Sequence, residues 1–312
     1  MRCLHCYQTL ENGEIDFHIS CSKKFFGQAT VPEINLDENK LEELGVEIIK
    51  KHIAVTGVQP KLSLNLNSES KQLPKSFTIV GLWGEYILKP ASNYYPQLPE
   101  VEDLTMHLAK IARISVVPHS LIRLQSGRLA YITKRIDRVN GRKLHMEDMC
   151  QLTVRLTEDK YHGSYEQVAK TILKFSNTPG LDVVNFFEQV LFSFLTGNAD
   201  MHLKNYSLLY HPLNGPQLSP AYDLVATAIV NPGDLEELTL TLNDKKRKLK
   251  RSDFEAAFGK LELDEKQIEN IFIKMEKAYS KWLDFIAISF LSEDFKQAYN
   301  TLLGERFARL KN

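Results

Sequence analysis

The sequence predicts an α+β fold of two lobes, with a β-rich first lobe and a mostly helical second lobe. Three observations lead to this prediction. The chain has 312 residues, of which 43% are hydrophobic, enough to bury a substantial core in about two domains. Up to residue 136, short apolar runs with alternating polar residues are typical of strands. Beyond Arg138, apolar residues recur at the spacing of helices.

Charge and hydropathy exclude several classes of protein. The 39 Lys and Arg residues balance 39 Asp and Glu residues, so the chain does not bind nucleic acid or an anionic membrane by bulk electrostatics. No apolar run reaches the roughly 18 residues of a membrane span. The first residues lack the apolar core of a secretory signal. We therefore expect a cytoplasmic protein that is not attached to a membrane.

Residues 1–27 are predicted to form a separate Cys/His knuckle. Cys3 and Cys6 are followed, after eleven residues, by His18 and Cys21. This spacing is typical of a structural Zn²⁺ site in which two short loops each present a ligand pair, with all four positions filled by protein. The alternative is that three reduced thiols pack as small hydrophobic groups while His18 is solvated.

The β-rich lobe is predicted over 28–136. A linker leads to an amphipathic helix over 36–51, and the apolar spacing predicts a second helix over 100–113. Strands are predicted over 53–57, 61–67, 76–80, 85–89, 116–124 and 128–136.

The helical lobe is predicted over 137–312. Its helices are expected over 165–175, 183–195, 253–258, 264–291 and 293–303. A basic run over 245–251 is interpreted as a solvated face, or else as a local patch for an acidic or DNA-bound partner.

The segment with the most chemical information begins at Asp200. Asn205 follows five residues later, and Asp223 follows after a turn-rich stretch. In phosphoryl transfer an aspartate accepts the proton of the attacking hydroxyl, while an asparagine and a second aspartate hold Mg²⁺. Lys204 would place positive charge beside the transferred group. The alternative is a helix cap and turn without catalytic function.

The first half supplies the other parts that phosphoryl transfer needs. The stretch 56–61 lies between two predicted strands, where a turn would cover phosphates or simply close a hairpin. Lys89 ends a predicted strand, as expected of a lysine that reaches nucleotide phosphates. Glu102 begins a helix and would pair with Lys89. The predicted parts occur in the order found in a two-lobed protein kinase. This order is a loop, a lysine on a strand, a glutamate on a helix, Asp-x4-Asn and a later Asp.

The chain also resembles the HipA-like serine/threonine protein kinases, which are the toxins of bacterial toxin–antitoxin systems. The resemblance implies a two-lobed protein-kinase-like (HipA-like) fold with ATP and Mg²⁺ as cofactors. The strings that carry it are Gly57–Lys61, Ile87–Pro90, Lys134–Arg138, Glu147–Gln151, Asp200–Asn205 and Pro220–Asp223.

Carried over residue by residue, the resemblance makes Asp200 the general base and Asn205 and Asp223 the Mg²⁺ ligands. Thr56 is the candidate autophosphorylation site, since Ala54 occupies the other position where relatives carry a serine. Lys134 stands where relatives tend to have Glu, so adenine contacts there are expected to use the backbone. The implied ATP-binding residues are Thr56, Gly57, Val58, Gln59, Pro60, Lys61, Lys89, Lys134, Arg135, Ile136, His202, Leu203, Lys204, Asn205, Tyr222 and Asp223.

The resemblance further implies phosphorylation of a protein, typically an aminoacyl-tRNA synthetase, and growth arrest. The short chain looks like the split form called HipT, with a HipS-like and a HipB-like antitoxin, and with DNA contacted only through the HipB-like partner. A small-molecule phosphotransferase is the first alternative, although Asn198 and Ala199 replace the His-Gly typical of that class. The second alternative is a non-catalytic kinase-fold corepressor. A protein without catalytic activity would have no chemical need for Lys89, Asp200, Asn205 and Asp223 together.

Overall fold

The computed structural model describes residues 1–34, 43, 61–67, 76–80, 84–139, 141–261 and 263–311. The chain divides into two compact units. The first comprises Met1–Asp103 and Val117–Ile136, and the second comprises Leu104–Val116 and Asp137–Asn312. The predicted helix over 36–51, apart from Glu43, and the predicted strand over 53–57 lie outside the described residues.

The first unit is built on a five-stranded antiparallel sheet with the strand order β2-β1-β3-β5-β4. Each strand lies inside a segment that the sequence predicts to be extended, which confirms the β-rich first part. Helix α2 begins in this unit and ends in the second one. The elements are α1 (Ile19–Phe26), β1 (Leu62–Asn67), β2 (Ser76–Val80), β3 (Tyr86–Lys89), α2 (Leu98–Ile111), β4 (His119–Arg123) and β5 (Leu129–Lys134).

The register of the central strands explains the buried face of this sheet. Leu62 and Leu64 of β1 lie opposite Leu88 and Tyr86 of β3, and all four side chains are buried. Alternate residues of a strand point to the same face, so the two pairs form one apolar layer. Leu88, the residue before Lys89, points into this apolar layer because of the same alternation.

The second unit is mostly helical. All five predicted helices of this part are present, with ends shifted by a few residues. The described elements are β6 (Arg138–Val139), β7 (Arg142–Lys143), β8 (Met146–Asp148), α3 (Met149–Leu152), α4 (Tyr165–Phe175), α5 (Pro179–Thr196), β9 (Ser207–His211), β10 (Gly215–Leu218), α6 (Thr227–Val230), α7 (Arg251–Gly259), α8 (Glu265–Ala287) and α9 (Glu293–Leu310).

A three-stranded antiparallel sheet of the second unit was missed by the sequence analysis. Its order is β10-β9-β8, and β8 leads directly into α3. The strands have only three to five residues, and the edge strand β10 starts with Gly215 and Pro216. Such residues are typical of turns, and proline is accommodated only at a sheet edge.

Helix α5 forms the core of the second unit and presents the segment that contains Asp200. Its buried side chains include Phe186, Phe187 and Phe192, and the Phe192 ring meets Trp282 of α8 edge-on at 5.5 Å. Gly197 ends the helix with φ 68°, in the left-handed region. None of the described helices is both long and apolar enough to cross a membrane.

Gly197 provides a test of how the chain leaves α5. A Cβ at this position would lie 2.7 Å from Leu302 Cδ2 and 2.8 Å from Ala228 Cβ, in addition to the left-handed φ. We expect Gly197→Ala to lower the free energy of unfolding by about 2–4 kcal/mol through strain and overpacking. Urea unfolding followed by circular dichroism measures this change.

Gly180→Ala at the other end of α5 is the matched control. A Cβ there meets no atom within 4 Å. Because Ala favours a helix over Gly, we expect this variant to be as stable as the parent or more stable by up to about 1 kcal/mol. Equal stability of the two variants would show that Gly197 is not under steric constraint.

Candidate functional site

The first unit contains a buried ion pair between Lys89, the last residue of β3, and Glu102 in α2. Lys89 is 4% exposed and Glu102 is 1% exposed. The Lys89 ammonium also lies 5.3 Å from the ring centre of Tyr131, its neighbour across the sheet. Removing two charges from water costs several kcal/mol for each ion. The pair therefore fixes the direction of Lys89 rather than adding stability by itself.

A second buried network lies next to Glu102 in sequence. Asp103 accepts a hydrogen bond from the Tyr7 hydroxyl at 2.9 Å and contacts His119 Nδ1 at 2.7 Å. All three side chains are buried. This network could not be predicted from the sequence, because no local motif links three residues so far apart in the chain.

The segment 134–136, predicted to meet adenine, follows β5. The backbone N–H of Lys134 donates to Pro118 O at 2.9 Å, and that of Arg135 donates to Glu85 O at 2.8 Å. The Lys134 ammonium lies 5.5 Å from the ring centre of Phe25. Burial lowers the pKa of Lys134. Because both amides bond within the sheet, an adenine contact here would use carbonyl oxygens.

The predicted phosphate loop is described only at its last residue. Lys61 is exposed and immediately precedes β1. Thr56, Gly57, Val58, Gln59 and Pro60 lie outside the described residues.

In the second unit, Asp200 and Asn205 belong to one hydrogen-bonded loop. The Asn205 side-chain amide donates to Asp200 O at 2.9 Å, and the Asp200 N–H donates to Asn198 Oδ1 at 3.1 Å. Asn205 is buried. Since its NH₂ group faces a carbonyl oxygen, the other side of its amide presents Oδ1. This oxygen is the type of ligand that Mg²⁺ prefers.

Neutral side chains hold this loop by its backbone. Ala199 N donates to Thr227 Oγ1 at 2.8 Å, and Ala199 O accepts from Thr239. The Tyr165 hydroxyl donates to Met201 O at 3.2 Å, and burial raises the pKa of Tyr165, so the hydroxyl keeps its proton. A loop that only capped α5 would not need partners from three other segments.

Asp223 is linked to the same loop through its neighbour Tyr222. The Tyr222 hydroxyl donates to Lys204 O at 3.1 Å and is 2.5 Å from Ser207 Oγ. Burial raises the pKa of Tyr222. Asp223 itself has φ 55°, in the left-handed region. Such a conformation costs about 1–3 kcal/mol and often occurs at functional sites.

The remaining predicted residues of this loop have defined partners. The Lys204 ammonium lies 2.7 Å from Asp148 Oδ2, so Asp148 orients it. The ring of His202 meets Tyr161 edge-on at 5.2 Å. Leu203 is buried.

The predicted zinc ligands Cys3, Cys6, His18 and Cys21 come together in the first unit. One ligand atom of each lies within 4.8 Å of the others. The second pair differs from the predicted short loop, because His18 occupies the N-cap position of helix α1 and Cys21 lies in the first turn of that helix.

A comparison with protein families places part of this chain in a known family. The HipA-like C-terminal domain matches residues 53–282. "Putative kinase Y4dM" of Sinorhizobium fredii is 31% identical over 245 residues, which are 74% of this chain and 59% of that protein. "Serine/threonine-protein kinase toxin HipA" of Shewanella oneidensis is 30% identical over 218 residues, or 63% of this chain and 48% of that protein. The chain thus spans about half the length of the curated relatives it matches.

Solved structures that share the fold include a toxin and a kinase from two bacteria. Shewanella oneidensis HipA, solved with HipB and operator DNA, aligns with a TM-score of 0.70 and 22% identity, covering 97% of this chain and 80% of that one. The Helicobacter pylori proinflammatory kinase CtkA aligns with a TM-score of 0.56 and 16% identity, covering 80% and 93%. The family match spans most of the chain, and the chain therefore belongs to the family of proteins with a HipA-like C-terminal domain.

Proposed function

We propose that this protein is an ATP- and Mg²⁺-dependent serine/threonine protein kinase. The observation that carries the proposal is the buried Lys89–Glu102 pair, which matches the lysine–glutamate pair that kinases require. The hydrogen-bonded loop of Asp200 and Asn205 and the left-handed backbone of Asp223 support it. The names of the relatives, which include kinases, agree with it.

Each residue has a proposed role. Lys89 binds nucleotide phosphates, and Glu102 fixes its ammonium. Asn205 and Asp223 would hold Mg²⁺, which neutralises phosphate charge when bound. Asp200 accepts the proton of the substrate hydroxyl as the phosphoryl group is transferred. The proposed nucleotide-binding residues are completed by Thr56–Lys61, Lys134–Ile136, His202–Lys204 and Tyr222.

We also propose that the kinase is the toxin of a toxin–antitoxin system. Its substrate would be a protein, with an aminoacyl-tRNA synthetase as the first candidate. HipB-like and HipS-like antitoxins would be its partners, with DNA bound through the HipB-like protein. Copurification of this protein from cells that also express the neighbouring genes tests this part. If its toxicity is neutralised without a HipB-like or HipS-like partner, the proposal is contradicted.

Incubation of a cell lysate with the protein and γ-labelled ATP tests the reaction class. We expect one or a few labelled proteins that are absent when the protein is omitted. Label found only in small molecules would instead indicate a small-molecule phosphotransferase, and no transfer at all would indicate a non-catalytic kinase fold.

Asp200→Asn tests the general base. The substitution removes a proton acceptor but keeps the side-chain size, so we expect transfer of label to fall by about 10²–10⁴-fold with an unchanged melting temperature. Asp284→Asn, at an exposed position of α8, is the matched control and should keep full activity. Full activity of Asp200→Asn would overturn the assignment.

Glu102→Gln tests the buried pair. It leaves the Lys89 ammonium buried without its carboxylate, and we expect a loss of stability of about 3–5 kcal/mol and weaker binding of MgATP. Glu293→Gln is the control, because Glu293 pairs with Lys296 at the surface with 88% of its side chain exposed. We expect it to change neither property.

A double variant separates stability from function. Lys89→Met combined with Glu102→Gln removes both buried charges, so we expect it to regain part of the lost stability. Binding of MgATP, measured by calorimetry, should remain weak because the phosphate-binding ammonium is gone. Recovery of nucleotide affinity in the double variant would contradict the role of Lys89.

Thr56 phosphorylation is expected to inhibit the enzyme. It adds about two negative charges where the polyphosphate of ATP would bind, so ATP affinity should fall by about tenfold or more. Mass spectrometry locates the phosphate, and calorimetry compares the phosphorylated protein with the phosphatase-treated protein. Thr56→Ala is the control for the position of the phosphate, and its ATP affinity should not change on treatment with phosphatase. Equal affinity of the two forms would disprove the inhibition.

A further inference from the structure

The four side chains of the N-terminal Cys/His cluster have the separations of a tetrahedral metal site. His18 Nδ1 lies 3.3 Å from Cys6 Sγ and 3.8 Å from Cys21 Sγ, and all four ligand atoms fall within 4.8 Å. Zinc bonds of about 2.3 Å to sulfur and about 2.0 Å to nitrogen place such ligand atoms roughly 3.5–3.8 Å apart. An ion of this size therefore fits among them with little movement.

The backbone presents the two ligand pairs from two separate elements. Cys3 and Cys6 flank a tight turn in which Tyr7 N donates to Cys3 O at 2.9 Å, and Tyr7 has φ 65°. His18 and Cys21 lie at the start of α1. A metal ion would join these two elements.

The orientation of His18 selects a metal-binding tautomer. His18 Nε2 lies 2.9 Å from Thr9 O, and a carbonyl oxygen can only accept, so Nε2 carries the proton. Nδ1 then presents its lone pair to the sulfur atoms. A histidine ligand usually donates its other N–H to such an outer partner, which fixes the ring.

The alternative of thiols packed as small hydrophobic groups fits these observations less well. Cys3 is buried, but Cys6 and Cys21 are half-exposed, and all three are free of disulfides. Packing alone gives no reason for the His18 lone pair to face two sulfurs. Three thiolates and an imidazole are the soft ligand set that zinc prefers, with no position left for water.

Hydrogen bonds connect the cluster to strand β4 and helix α2 of the same unit. Leu4 lies between Cys3 and Cys6, and its carbonyl oxygen accepts from Leu121 N and from Ser120 Oγ, each at 3.3 Å. Tyr7, directly after Cys6, donates to Asp103. Asp103 is adjacent to Glu102, so the Cys3–Cys6 turn is joined to the helix that carries the ion pair.

Aromatic packing connects the second ligand pair to strand β3. Phe25, one turn after Cys21, meets Tyr86 at 6.0 Å, and Phe26 meets Phe77 at 5.9 Å. The Tyr86 hydroxyl donates to Phe25 O at 3.3 Å. Tyr86 begins the strand that ends at Lys89. Both members of the Lys89–Glu102 pair are therefore attached to elements on which the cluster packs.

We propose that Cys3, Cys6, His18 and Cys21 bind one Zn²⁺ as a closed structural site, and that this ion holds the N-terminal segment against β3, β4 and α2. The zinc site does not depend on the proposed kinase activity. Loss of the ion would free the Cys3–Cys6 turn from α1 and weaken the Tyr7–Asp103 bond. The positions of Lys89 and Glu102 would then be less well defined.

Metal analysis of the full chain, purified without chelator, is the first test. We expect one zinc per chain, and Co²⁺ added to the metal-free protein should give the visible absorption of tetrahedral thiolate coordination. In competition with a chelator, Cys6→Ser should bind zinc more than about 100-fold more weakly than the parent protein. Loss of a residue that only hydrogen-bonds to a ligand reduces metal affinity by about 10–100-fold, so a larger effect indicates a direct ligand. Cys150→Ser, which changes a cysteine outside the cluster, should retain one zinc.

Substoichiometric zinc in the parent protein, or zinc retained equally by Cys6→Ser and the parent, would overturn the site. If Cys6→Ser does not fold, chelator titration of the parent protein replaces it. The site is supported if the chelator releases one ion and three thiols become reactive together. It is contradicted if the thiols react fully before the chelator is added. Zinc content without transfer of label would contradict the kinase proposal alone.

Hydrogen exchange tests the attachment to the rest of the unit. After zinc removal we expect faster exchange at the Leu121 amide, which donates to Leu4 O, and along the first turns of α2. Amides of α4 in the second unit serve as the internal control and should be unchanged. Unchanged exchange at Leu121 would show that the ion does not hold this segment.

Discussion

The first unit depends on keeping two opposite charges, Lys89 and Glu102, out of water. Neither side chain is more than 5% exposed. Their attraction offsets the lost hydration only if both groups are held in place. In a medium of low polarity, a small increase in the distance between them loses much of the attractive energy. The register of the sheet places the Tyr131 ring beside the lysine, and α2 supplies the glutamate. The surrounding packing therefore serves to define one direction for the ammonium.

The second unit positions its acidic residues by a different physical means. Asp200 lies in a loop whose backbone is bound by the neutral side chains of Thr227, Thr239 and Tyr165. These contacts reach the backbone of residues 199–201 and do not involve the carboxylate of Asp200. Three neutral side chains thus fix the backbone of the loop that contains Asp200.

Much of the fold and some of the candidate site follow from local patterns. Strands such as β2 and helices such as α4 have the predicted bounds because their apolar periodicity is strong. The Lys89–Glu102 pair and the Cys/His cluster could be predicted because the types and spacing of their residues are typical of a kinase ion pair and of a zinc site. The small sheet of β8–β10 was missed because short strands with Gly215 and Pro216 resemble turns. The Tyr7–Asp103–His119 network was beyond prediction, since only the folded sheet brings those side chains together.

The basic run over 245–251 shows where a prediction from composition needs the structure. Lys245 lies 2.7 Å from Asp253, Lys246 lies 3.4 Å from Glu236, and Leu249 between the cations is buried. A DNA phosphate would have to displace these carboxylates before it gained from counterion release. Lys245, Lys246 and Arg251 are thus paired with carboxylates, and this half of the run fits the predicted solvated face better than a nucleic-acid patch.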